Sequence, residues 1–181
     1  MKNNSFLIII SILVLMIGTA AILSTNGKAG YSGAPGEGNC TSCHNEYAAN
    51  SGTGSVVIST NIPVSGYELN TTYQISVIVS QVGKTLFGFD LEALSGTANA
   101  GTFIITNSNE SQTRTKIVNT VTRNNVVHVS DGGLANDTKT FTFNWTSPAT
   151  NAGNITFYAT GNAANNDGNT TGDNIYTLLQ K

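Results

Sequence analysis

The sequence predicts an all-β protein, an antiparallel sandwich of about eight strands. Three observations carry that reading. Short runs rich in β-branched and aromatic residues recur at 56–59, 73–80, 87–94, 102–106, 126–129, 138–145, 154–160 and 174–178. Turn residues such as Ser65-Gly66, Gly96, Asp131-Gly132-Gly133 and Asn166-Asp167-Gly168 separate them. No helical period of apolar residues lasts three turns after residue 30.

Alternation gives each strand one buried face. Tyr73, Ile75, Val77 and Val79 fall on one side of their run, as do Phe141, Phe143 and Trp145 of another. These aromatics, with Phe87, Phe89, Phe157 and Tyr158, read as core residues, because strand spacing sends them inward and their area dominates a small core. Two such faces pack naturally as a sandwich.

Composition narrows the function. Of 181 residues only 10% are charged, and the formal net charge is -2. No basic patch exists to neutralise a phosphate backbone, so nucleic acid is not an expected partner. The abundance of Asn, Thr, Ser and Gly suits the surface of an exported β protein.

The N-terminus supports export. Lys2 precedes an almost unbroken apolar run over 6–23, which reads either as a signal peptide or, being near the length of about 17–25 residues that spans a bilayer, as a membrane anchor. Gly18, Thr19, Ala20 and Ala21 make a poor cleavage site, and both readings stay open. The expected organisation is a signal or anchor over 1–25, a linker and cysteine segment over 26–53, and a sandwich over 54–181. Membrane contact would run through residues 6–23 if they are retained.

The cysteines carry the most specific signal. Cys40-Thr41-Ser42-Cys43-His44 matches the pentad of covalent haem attachment, in which two thiols bond the vinyl groups and the adjacent imidazole ligates iron. With two Cys and two His in the whole chain, chance placement would produce it roughly once in ten thousand sequences. The expectation is one haem c, bound covalently by Cys40 and Cys43, with His44 as axial ligand. Three other readings compete: a Cys40–Cys43 disulfide, a thiol redox pair, and a zinc site recruiting His128.

The second axial position follows by elimination. Met1 and Met16 both lie in the export segment, so the body holds no methionine for a His/Met pair. His128, flanked by Val127 and Val129, is the candidate second axial ligand. A solvent-facing strand histidine is the plain alternative.

Gly33-Ala34-Pro35-Gly36-Glu37 ahead of the pentad resembles the opening of bacterial Reeler-like, "choice-of-anchor" domains. Gly88-Phe89, Trp145-Thr146, Phe157-Tyr158-Ala159, Gly161-Asn162 and Gly172-Asp173-Asn174-Ile175-Tyr176 continue the pattern in order, over about residues 31–178. The resemblance implies an immunoglobulin-like sandwich on or outside the cell, often with the haem-binding pentad near its N-terminus, and no single activity. Relatives often continue into a C-terminal sorting segment. Here the chain ends soon after Tyr176, which leaves residues 6–23 as the evident anchor.

The turn from Asp167 to Asp173 places oxygens at alternate positions as a calcium loop does, but Leu178 stands where that loop needs Glu, so it reads as an inter-strand loop. The functional expectation is therefore an exported haem carrier, transferring electrons to a redox partner that the sequence does not specify. The alternative is an extracellular binding or adhesion module with a structural Cys40–Cys43 disulfide. No paired carboxylates, nucleophile elbow or zinc-hydrolase spacing argues for an enzyme.

Overall fold

A computed structural model describes residues 26–180; the export segment and its alternatives lie outside them. Among the described residues no helix is long and apolar enough to cross a membrane. Ten strands form: β1 (Ser55–Thr60), β2 (Thr72–Ser80), β3 (Leu86–Ser95), β4 (Ala98–Asn99), β5 (Thr102–Ile104), β6 (Ser111–Val118), β7 (Val121–His128), β8 (Thr138–Thr146), β9 (Thr156–Ala164) and β10 (Asn174–Gln180).

They make two sheets, one in the order β1-β2-β8-β5 and one in the order β10-β9-β3-β7-β6, with β4 attached to β3. All pairings are antiparallel. This is the expected all-β sandwich, with two more strands than expected.

The core is built as the alternation requires. Ile75, Val77 and Val79 of β2 and Phe141, Phe143 and Trp145 of β8 face Phe87, Phe89, Leu91 and Ala93 of β3. Phe89 stands 4.5 Å from Phe141 and 5.9 Å from Phe143 between ring centroids, and Trp145 meets Phe157 edge-on at 5.2 Å. Trp145 is fully buried because its indole N–H donates to Ala100 O at 2.9 Å. Tyr158 departs from expectation. Strand period puts it on the face opposite Phe157 and Ala159, half-buried and outside the core.

Strand β6 was invisible to the alternation rule. Its middle residues, Arg114 to Ile117, are all exposed, since it overhangs the core at a sheet edge. Pairing with β7 through a turn at Asn119-Thr120 forms it instead. Both turn residues have positive φ, 48° and 71°, as a tight two-residue hairpin turn demands.

Phe143→Ala is expected to lower stability by about 3–5 kcal/mol, the cost of emptying an aromatic site in a packed core. Ile117→Ala, on the exposed edge, is expected to stay within about 0.5 kcal/mol of wild type. Urea unfolding checks both, and equal losses would contradict this division of core and edge.

Candidate functional site

Strand β3 is buried on both faces from Phe87 to Leu94. Its second face, which carries Asp90 and Glu92, is met by Tyr31 and Ser32 of the stretch 26–53, expected to be a linker and haem-attachment segment. Polar contacts hold that segment down. Tyr31 N–H donates to Asp90 Oδ2 at 2.8 Å, and the Ser32 hydroxyl donates to Glu37 at 2.7 Å and lies 3.1 Å from Glu92. Arg123 donates to Glu92 at 3.1 Å and to Pro35 O at 3.3 Å, while Asn125 donates to Asp90 at 2.9 Å.

Asp90, Glu92, Arg123 and Asn125 are each at most 1% exposed, a burial that charged groups tolerate only when paired. Arg123 pairs with Glu92, while Asp90 relies on Asn125 and the backbone of Tyr31. Burial first, then the Glu37 charge, push Glu92 up to about 7 against the pull of Arg123, and burial also raises Asp90 well above the usual carboxylate range.

Once docked, the segment delivers the pentad. Asn39 caps a single 3-10 turn, Cys40–Ser42, its side-chain oxygen accepting from Thr41 N at 2.8 Å. Cys43 N–H and His44 N–H both donate to Cys40 O, at 3.2 and 3.0 Å. Positions one turn apart share a side of such a turn, so Cys40, Cys43 and His44 are gathered together.

All three line one cavity of about 270 Å³, and His128 lines it too. Leu86 and Ala164 contribute apolar wall, Asp90, Asn162 and Asp173 line it as well, and the loop after β9 closes part of it. His128 enters from the end of β7, where its Nδ1 lies 3.1 Å from Phe89 N and 3.3 Å from Phe89 O. Its ring lies directly on Gly88, where an added Cβ would come within 2.6 Å of the ring. Only glycine fits there. Gly88 is the register partner of Asn162 in β9, whose amide is 3.3 Å from His44 Nδ1. The two histidines, far apart in sequence, are thus served by facing positions of neighbouring strands.

His44 Nδ1 is 2.6 Å from Asp173 Oδ2, and Asp173 is 1% exposed. A carboxylate accepts, so Nδ1 donates and Nε2 is left for a ligand. The role of Asp173 was not legible beforehand. It stood only in the matched stretch Gly172-Asp173-Asn174 and in the calcium-like turn.

In that turn the two aspartates have separate partners. Asp173 faces His44, and Asp167 accepts from Asn169 N at 2.8 Å within its own loop, which holds its carboxyl below the usual range.

The competing readings of the cysteines separate here. Cys40 and Cys43 are both free thiols in this structure. Burial, then the charge of Asp90, push the Cys40 thiol far up, opposite to what a redox-active thiolate requires. Among the described residues no group of three or more His, Cys, Asp or Glu could hold a metal ion by side chains alone. A haem, which brings its own four nitrogens to iron, would ask for two thiols and an imidazole with a free nitrogen beside one cavity, and Cys40, Cys43 and His44 line one.

The architecture and this strapped N-terminal site define a class of β-sandwich module. The Reeler domain family model matches residues 39–166, and the chain belongs to that family. In fold it is similar to the Reelin-N domain of F-spondin at TM-score 0.50, with 16% identity over 77% of this chain and 94% of that one. The human F-spondin reeler domain aligns at TM-score 0.49, with 16% identity over 74% and 94% of the two chains. A cohesin module from a Clostridium perfringens family 33 glycoside hydrolase aligns at 0.47, with 12% identity over 71% and 95%. No curated protein sequence matches significantly.

The buried carboxyls set a pH dependence. A folded pKa of about 7 against an unfolded 4.5 means that Glu92 contributes fully to stability below pH 4.5 and loses that contribution as pH rises through about 7. Glu92→Gln mimics the neutral form at every pH. It is expected to gain stability relative to wild type across that window, and a constant difference in urea unfolding from pH 4.5 to about pH 8 would contradict this.

Proposed function

We propose that this Reeler domain is an exported electron-transfer module carrying one haem c, bound through Cys40 and Cys43, with His44 Nε2 as axial ligand and His128 as second. The observation that carries the reading is the convergence of both cysteines and both histidines on one partly apolar cavity. Haem when bound would supply a one-electron couple. The chain's own contribution is to orient His44 through Asp173, to seat His128 on Gly88, and to limit water with the walls of β3 and β9. Export rests on residues 6–23 and on the pentad. The competing reading, an extracellular binding or adhesion module with a structural Cys40–Cys43 disulfide, has family membership in its favour.

Protein made with haem-maturation machinery is expected to keep its haem through acid-acetone extraction and denaturing electrophoresis, since thioethers survive loss of the fold. Cys40→Ala and Cys43→Ala are each expected to cut covalent haem severely. Haem stain that vanishes on denaturation of the wild type would overturn the assignment.

With both imidazoles on iron the ferric protein is expected to be low-spin and slow to bind cyanide. His128→Ala is expected to convert the spectrum to high spin. An unchanged spectrum in that variant would remove His128 from the site and leave the His44 assignment standing.

A further inference from the structure

We propose that Asp173 is the positioning residue that makes His44 a ligand, fixing its proton on Nδ1, aiming the Nε2 lone pair at the cavity and, through its buried negative charge, favouring ferric over ferrous iron. The first two parts concern the protein alone; the third rests on the haem reading above.

The geometry carries the claim. The Nδ1–Oδ2 distance of 2.6 Å is that of a strong charge-assisted hydrogen bond. Asp173 lies 129 residues from His44 and is 1% exposed, so water does not screen the pair from that side. Its other oxygen, Oδ1, accepts from Asn165 N–H at 3.1 Å, which closes the loop between β9 and β10.

The residue before it is held from both sides. Gly172 N–H donates to Glu46 Oε2 at 2.6 Å, and Gly172 O accepts from Lys84 Nζ. The carboxylate is therefore placed by its loop before any ligand arrives, and Asn162 rests against the imidazole at 3.3 Å from Nδ1 and 3.5 Å from Nε2. A ligating histidine that donates its other N–H to a carboxylate has a fixed tautomer and a more basic coordinating nitrogen. Greater basicity stabilises the more highly charged ferric ion, which lowers the reduction potential.

The same contact would also serve as plain glue between the pentad turn and the β9–β10 hairpin. Asp173→Asn separates the two roles, because asparagine keeps the shape and one of the two accepting oxygens while removing the charge. In haem-loaded protein, potentiometric titration of Asp173→Asn is expected to show a ferrous-to-ferric ratio about tenfold higher at fixed applied potential, equivalent to a midpoint about 59 mV higher. Covalent haem content should change little, while the urea midpoint should fall, since an amide nitrogen replaces one of the two oxygens that accept from His44 and Asn165. A shift under about twofold with haem retained would overturn the electrostatic part.

Nitrogen NMR of the haem-free wild type reads the tautomer directly. A proton on His44 Nδ1 with an unprotonated Nε2 is expected, and protonated Nε2 with bare Nδ1 would overturn the steering role whether or not Asp173→Asn assembles. Wild type that takes up no haem would end the haem reading and the ferric preference together. The tautomer measurement would still decide the rest.

Discussion

Strand β3 has to satisfy two different environments at once, and the site depends on how it does so. One face, Phe87, Phe89, Leu91 and Ala93, belongs to the apolar core. The other presents Asp90 and Glu92, both buried. Carboxyl groups denied water must find partners from protein, because an isolated buried charge costs several kcal/mol. Arg123 and Asn125 of β7 supply some, and the backbone and hydroxyl of Tyr31 and Ser32 supply others. The N-terminal segment is thereby fastened to the sheet, and Cys40, Cys43 and His44 travel with it. Polar satisfaction, more than apolar burial, sets the register of that segment.

Sheet register then brings the second histidine into place. Antiparallel pairing sets Gly88 opposite Asn162, with Cα atoms about 5 Å apart. One position carries the ring of His128 on a bare backbone, and the other carries an amide against the ring of His44. A larger residue at Gly88 would push His128 away. Gly27 is under the same constraint, since a Cβ there would reach within 2.9 Å of His128 Nδ1. These close approaches give both glycines a steric reason independent of turn geometry.

Fold and site differed in how far they could be read ahead. Strong alternation in β2 and β8 marked those strands, and all their inward residues are buried. β6 was hidden because an edge strand that overhangs the core has no face to hide and so no pattern to show. Tyr158 was placed in the core by its neighbours' character, whereas strand period turns it outward. The stretch 26–38 looked like a tether because it lacks large apolar residues. It is anchored by hydrogen bonds that composition does not reveal.

The sequence by itself determined the class of fold, through period-two burial, and raised the haem expectation, through the fixed spacing of two thiols and an imidazole. It also limited the second axial candidate to His128, because the body contains no methionine. Only the tertiary structure decided that His128 shares a cavity with the pentad and that Asp173 holds His44. The physical reason is range. Spacing along a chain constrains groups within a turn of one another, whereas residues 129 apart meet only through sheet register and the partner requirements of buried polar groups.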